Sequence, residues 1–507
     1  MQNRTTVKKI ILGIVLVATT LLNPLKIIGQ DTTNFNWPKN EITPFFKELV
    51  TAYNSNDLQK LKVFTKKHYE KDSKEAATYW KGLFLEYGEL EPHSISKDYS
   101  NKNNLSVFFR GKYTKSWVMI MLRMNADNTK VVGKSLGRGM LPSGGVSSDN
   151  NSISSKELVP YLDNYLEGLD KTDHFSGSVL VAKGNTILFE KTYGLRNKKK
   201  GNKIDTNTTF NVASTTKTFT AIAIAKLVKQ GKLNYSDPIS KFIPEYPKDI
   251  ANQVTIHHLL AHTSGIELDD YEPFNTENDR AKNMNDYLSA QIKHIDSLNE
   301  GRRKNFKVLN KFDYSNENYA LLGVIIERVS KMSYAEYVEK NIFIPLHMKN
   351  SFADLNKISN HNNVATSYSY YDSNYKLIDG KRYEAKSKED YLSPFGGIFS
   401  TTRDLYTYLK AINEHSIVNK DTQKLLYQKH AKRFETDNLS MHYGYGFYII
   451  KRGGTLSVGH GGKYHGVGSH FYYYPETDHY IIVLSNYGSI FSTTVANHIE
   501  SLIGSNN

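Results

Sequence analysis

The amino-acid sequence predicts an α+β protein in two parts: a small α+β module, then a larger domain in which helices flank one antiparallel sheet. Three observations predict it. Residues 141–156, LPSGGVSSDNNSISSK, consist mostly of Ser, Gly, Asn and Asp and read as a linker. Beyond them, strand patterns crowd both ends of the remaining chain, so that strands from the two ends can meet in one sheet. Between those ends lie apolar runs of helical length. A chain of 507 residues suffices for two or three such domains.

Taken in order, residues 1–30 have the pattern of an export signal: Arg4, Lys8 and Lys9, then an uncharged run from Ile10 to Leu22 that is too short to span a bilayer comfortably. The expectation is an exported protein, periplasmic or secreted, with an uncleaved N-terminal anchor as the alternative and no membrane span once the signal is removed. Residues 31–140 form the module. Phe45 to Tyr53 and Leu58 to Phe64 have helical apolar spacing, and Leu105–Phe109, Trp117–Leu122 and Lys130–Val132 read as strands. By element order this module is loosely similar to the NTF2-like fold; what it binds is left open. Residues 157–507 form the second domain. It opens with a hairpin, Ser176 to Val181 and Thr186 to Lys191 around Lys183-Gly184-Asn185. Helices over Thr216–Gln230 and Asn318–Val329 follow, then strands at Tyr445–Ile450, Ser469–Tyr474 and Tyr480–Ser485 and a last helix from Phe491 to Ile503.

Composition narrows the chemistry. With no cysteine, disulfides, thiolate nucleophiles, iron–sulfur clusters and Cys-based zinc sites are excluded. A net charge of +14 and the clusters Lys198-Lys199-Lys200 and Arg302-Arg303-Lys304 suit solvated loops; no recognition motif points to nucleic acid. The 35 tyrosines, clustered at Tyr368, Tyr370 and Tyr371 and at Tyr472 to Tyr474, could line a groove or pack a sheet face.

Covalent chemistry points to Ser214 and Lys217. Asn211-Val212-Ala213-Ser214-Thr215-Thr216-Lys217 runs into an apolar helix ended by Gly231, and a helix starting near Ser214 puts Lys217 on its face. A serine hydroxyl needs a nearby base, and a lysine between apolar walls can shed its charge to serve. The spacing alone is weak: Ser94-Ile95-Ser96-Lys97, followed by Tyr99-Ser100-Asn101, fits equally but lies in a polar, loop-like stretch. What distinguishes Ser214 is its company, Tyr314-Ser315-Asn316 before an apolar helix and His460-Gly461-Gly462 before the last strands.

With these motifs, residues from about Leu158 to Ile503 resemble the serine β-lactamase and penicillin-binding-protein superfamily, in its class C-like branch of D-alanyl-D-alanine carboxypeptidases, D-aminopeptidases and carboxylesterases. Phe175–Ala182, Asp237-Pro238, the histidine-rich Thr255–Gly265 and Pro394–Leu405 add to the likeness. The resemblance implies a β-lactamase/transpeptidase-like fold, with Ser214 as nucleophile, Lys217 as its base and Tyr314 as proton relay. It implies that Asn316 holds the substrate, that His460 stands where the better-known motif has lysine, and that the N–H of Lys463, after Gly462, joins that of Ser214 in an oxyanion hole. No metal or organic cofactor is implied.

The expected activity is that of a serine hydrolase on an ester or amide of a small-molecule or peptide-like substrate, with selectivity set by loops 266–312 and 353–392. Two alternatives stand beside it. One is a binding or sensor protein that kept the fold; the other is a true β-lactamase, which the exchange of lysine and threonine for His460 and Gly461 disfavours. His258 and His262, four apart, could bind metal on a helix face, but no acidic third ligand lies near.

Overall fold

The computed structural model describes residues 35–503, apart from 72, 97–99, 139–152, 267–283, 298–305, 355–360, 373–375, 379–380, 386–393 and 437–438. The expected signal, most of the expected linker and much of both selectivity loops lie outside the described residues. Among the described residues, no helix is long and apolar enough to cross a membrane.

The module places helices α1 (Thr43–Asn54), α2 (Leu58–His68) and α3 (Ser73–Tyr87) against a four-stranded antiparallel meander. Its strands are β1 (Leu90–Ile95), β2 (Asn104–Gly111), β3 (Trp117–Met124) and β4 (Val131–Arg138). Helix α3 and strand β1 were not foreseen, and the segment from Ser94 taken for a loop begins inside β1. One sheet face, Leu105, Val107, Phe109, Val118, Ile120 and Leu122, packs with Phe46, Leu61 and Trp80 into a separate core. Tyr165 Oη donates to the Thr114 carbonyl at 2.8 Å, and Tyr371 Oη to Glu86 at 3.0 Å, tying the module to the second domain.

That domain begins earlier than expected. Ser155 and Lys156, assigned to the linker, open helix α4 (Ser155–Lys171), because Ser154 and Glu157 form a capping box that starts the helix there. The hairpin follows as β5 (Gly177–Lys183) and β6 (Thr186–Tyr193), then helix α5 (Thr216–Lys229), closed by Gly231 at φ +68°. Next come the short α6 (Ile256–Leu260), α7 (Met284–Ser297), α8 (Asn316–Ser330) and α9 (Thr402–Asn413). The C-terminal part supplies β7 (Ala431–Glu435), β8 (Leu439–Tyr443), β9 (Tyr448–Arg452), β10 (Thr455–Tyr464), β11 (Val467–Tyr474), β12 (His479–Ser485) and helix α10 (Ser489–Ile503).

The two ends of the domain do meet in one sheet. Its order is β7-β8-β9-β10-β11-β12-β5-β6, antiparallel throughout, with β12 laid along β5 from His479 opposite Lys183 to Ser485 opposite Gly177. Both faces of β5 and β12 are covered, so these two strands are apolar almost continuously rather than alternately. Leu180, Ala182, Ile482 and Leu484 face a core shared with α5 and α8, while Val179, Val181, Ile481 and Val483 face one shared with α4 and α10. Tyr368, Tyr370, Tyr472 and Tyr474 are packed in the latter core.

Two buried histidines sit on this frame, and burial pushes each down to about 3: His470 on β11, and His498 on α10, whose Nε2 pairs with Tyr161 Oη at 2.9 Å. Such a group stays neutral when folded and takes up a proton when unfolded, so its stabilising contribution is present above about pH 6.5 and is lost as pH falls toward 3. Thermal or urea melts between pH 7.5 and 4 should show falling stability, and His498→Phe should reduce that slope by about 1.4 kcal/mol per pH unit.

Candidate active site

The turn that carries Ser214 is built by three local devices. Asn211 Oδ1 accepts the Ala213 N–H at 2.6 Å. Ala213 itself is held at φ +48°, a left-handed conformation that an alanine adopts at a cost of about 1–3 kcal/mol. Ala213–Thr215 form a tight 3-10 turn, so α5 proper starts at Thr216, two residues after Ser214 rather than at it. The turn leaves Ser214 just ahead of α5 and Lys217 one turn along, within hydrogen-bond reach of it.

Ser214, Lys217, Tyr314 and Asn316 converge. Lys217 is fully buried, and its Nζ donates to Ser214 Oγ at 3.2 Å, to Asn316 Oδ1 at 2.8 Å and to the Phe395 carbonyl at 3.0 Å. Its ammonium lies 4.9 Å from the Tyr314 ring centroid. Tyr314 Oη donates to Ser214 Oγ at 3.0 Å. Burial first, then neighbouring Tyr448, push the Tyr314 phenol well above its usual range, so it is a neutral donor. Ser214 Oγ thus receives two hydrogen bonds from groups that can exchange protons.

Tyr314 is seated by a residue outside the predicted site set, His262. Its ring packs on that of Tyr314 at 4.4 Å, its Nδ1 accepts the Ser315 N–H at 3.2 Å, and its carbonyl accepts the Asp313 N–H at 2.8 Å. Burial, then the Lys217 charge, hold the imidazole far below its ordinary value and therefore neutral. The histidine-rich stretch gave a sequence signal for it, but as a family phrase without a role. His257 and His258 are engaged elsewhere, with Tyr445 and Thr255.

The wall of the site is β10. Strand β9 begins at Tyr448, opposite Gly459, so from His460 to Tyr464 β10 has a ladder partner only in β11 and presents its other edge to the Ser214 turn. Thr215 Oγ1 donates to the His460 carbonyl at 3.3 Å, and Ser469 Oγ on β11 donates to the Val212 carbonyl at 2.8 Å. A side chain at Gly462 would lie 2.2 Å from that carbonyl and 2.9 Å from Ala213 Cβ, so only glycine lets turn and strand touch. At Gly461 there is room, the nearest atom lying 3.6 Å away. Lys463 is exposed beyond them.

His460 points inward rather than into solvent. Its Nε2 is 3.1 Å from Tyr443 Oη, its ring is 4.9 Å from that of Tyr448, and burial with the nearby Lys217 charge pushes it down to about 3. It therefore supplies no positive charge at neutral pH. Among the described residues no cluster of three or more His, Asp or Glu could hold a metal ion.

This fold, with Ser214, Lys217 and Tyr314 brought together, agrees with the comparisons: the Beta-lactamase family model matches residues 162–499, and the chain belongs to that family. Among curated proteins it is similar to protein flp of Staphylococcus aureus (strain N315), 29% identical over 68% of this chain and 66% of that one. It is also similar to penicillin-binding protein 4* of Bacillus subtilis (strain 168), 31% identical over 52% of this chain and 58% of that one. The chain thus spans less than two thirds of the length of these relatives. Among solved structures, a penicillin-binding protein from Bacillus halodurans superposes with a TM-score of 0.56 at 28% identity, covering 66% of this chain and 98% of that one. A D-amino acid amidase from Ochrobactrum anthropi SV3 shares the fold with a TM-score of 0.54 at 22% identity, over 68% of this chain and 97% of that one.

Gly462→Ala should force turn and strand apart. Labelling of Ser214 by a fluorophosphonate, followed by intact mass, should slow by about a hundredfold or more while the circular dichroism spectrum is retained.

Proposed function

We propose that this chain is an exported serine hydrolase that cleaves an ester or amide through an acyl-enzyme on Ser214. The observation that carries the reading is the pair of donors converging on Ser214 Oγ, Lys217 Nζ at 3.2 Å and Tyr314 Oη at 3.0 Å. A binding protein has no use for that pair. The basic, apolar pattern of residues 1–30 supports action outside the cytoplasm.

The competent state is the one in which the Lys217–Tyr314 pair has released one proton. Ser214 Oγ then attacks the carbonyl carbon, a C–O bond forms, the carbonyl electrons move onto oxygen, and the serine proton passes to the pair. The N–H groups of Ser214 and Lys463 are assigned to the oxyanion, and Asn316 and the Gly461-Gly462 edge to the rest of the substrate. Collapse breaks the bond to the leaving group, which takes its proton from the pair through Tyr314 Oη. Water repeats the sequence on the acyl-enzyme, returning the proton to Ser214 Oγ and releasing the acid.

The neutral, buried His460 lacks the positive charge of the lysine that the better-known motif has at this position, which favours esters and amides over penicillins. Fluorophosphonate should add once to the wild type and not to Ser214→Ala; no adduct on folded wild type sinks the proposal. Tyr314→Phe should lower acylation by about 10²–10⁴-fold. Acylation should show no inflection near pH 6.5, because His262 and His460 stay neutral through that range.

A further inference from the structure

The N-terminal module reaches the wall strand through Tyr371. Gly82 and Glu86, one turn apart on α3, receive its ring: a side chain at Gly82 would lie 2.6 Å from Tyr371 Oη, and Glu86 accepts that hydroxyl at 3.0 Å. A glycine inside a helix costs about 1 kcal/mol against alanine, and here it opens the notch in which the tyrosine sits. The same tyrosine packs with Leu85 and Leu377 against the core shared with α4 and α10. Its backbone is held as well: its N–H donates to Ser369 Oγ at 3.0 Å, and the imidazole of His465 hydrogen-bonds to its main chain. His465 belongs to the two-residue turn, His465-Gly466, that joins Tyr464 of β10 to Val467 of β11. Gly466, at φ +73°, lets that turn lie against a ribbon formed by Tyr368–Ser369 and Tyr383–Glu384, since a side chain there would meet the Tyr368 nitrogen at 2.8 Å and Ala385 Cβ at 3.0 Å. Lys463, whose N–H is assigned to the oxyanion, comes just before this turn.

We propose that Tyr371 is a positioning residue for this active site: gripped by the N-terminal module, it holds the β10–β11 turn and, through that turn, the Lys463 N–H beside Ser214. The second domain already secures the base of the ribbon. Arg382, stacked over Tyr370 and Tyr487, donates to Asp173 Oδ2 at 3.0 Å and to its carbonyl at 2.8 Å, and Asn486 Nδ2 donates to the Thr366 carbonyl at 2.9 Å. What the module adds is a fixed seat for Tyr371, the point to which His465 is bonded. Displacing a catalytic donor by about 1 Å costs on the order of a hundredfold in rate, so a grip that touches no substrate still bears on the chemistry. The proposal rests on the acyl-enzyme reading above and gives the N-terminal module a task in it.

The test follows two readouts in the full chain: saturable labelling of Ser214 by a fluorophosphonate, and amide hydrogen exchange of a peptide covering residues 460–474. Gly82→Leu, which fills the notch, and Tyr371→Ala should each lower the maximal labelling rate by about ten- to a hundredfold and speed exchange at the turn, leaving the half-saturating concentration within about twofold. Tyr371→Phe keeps the ring and loses one hydrogen bond, so its labelling should fall by only about three- to tenfold. Tyr165→Phe cuts a different tie between module and domain, the bond to the Thr114 carbonyl, and should move neither readout. Tyr371→Ala leaves α3 untouched and decides alone if Gly82→Leu does not fold. Wild-type labelling and exchange in Tyr371→Ala overturn the proposal, and so does an equal loss in Tyr165→Phe, which would make Tyr371 one tie among several. No adduct on the folded wild type defeats the acyl-enzyme reading instead; exchange at the turn then still decides whether the module holds it.

Discussion

A lysine amine buried to the last atom sets the terms for the rest of this site. Such a group is tolerated in a protein interior only when hydrogen bonds replace its water, and Lys217 has three acceptors at 2.8–3.2 Å. Each comes from a different part of the chain: the nucleophile turn, the first residue of α8, and the loop before α9. Satisfying one amine therefore fixes where three segments meet. The aromatic rings of Tyr314, Tyr319 and Phe395, within 4.9–5.6 Å of it, complete the enclosure without adding a competing charge.

The second constraint is contact between backbones. Gly462 lets β10 touch the turn, and hydroxyls on Thr215 and Ser469 stitch the two together, one bonding to the other at 2.9 Å. This is why the strand that forms the wall can leave its ladder on one side. Edge N–H and C=O groups that would otherwise be a liability become the face set beside Ser214. Gly396 repeats the device, since a side chain there would lie 1.8 Å from Tyr464 Oη, bringing the Phe395 loop against the same strand.

Much of this was legible in the sequence, and for a physical reason. Ser214 and Lys217 are one helical turn apart, Tyr314 and Asn316 two residues apart, and Gly461 and Gly462 adjacent, so short-range spacing carries their geometry. The meeting of β5 with β12 was readable from strand patterns at both ends. What escaped was set by tertiary placement. His262 matters through the ring it packs on, and Phe395 through its carbonyl as well as its ring. Strands β1 and β7 were missed because LEPHSI contains proline and AKRFE is largely charged, as edge strands tolerate. Helix α5 begins after Ser214 because the Asn211 cap and the left-handed Ala213 insert a tighter turn first.

The closure of the large sheet has a consequence in time. Strand β5 is among the first parts of its domain to be synthesised and β12 among the last, and they lie side by side. The intervening stretch, including the nucleophile helix, stays without its sheet until the C-terminal strands arrive, and contacts so distant in sequence form slowly. The wall strand β10 is made in that same final stretch. A ribosome-bound or truncated chain thus carries Ser214 and Lys217 without the edge that completes their surroundings, which assemble only once the C-terminal strands have paired.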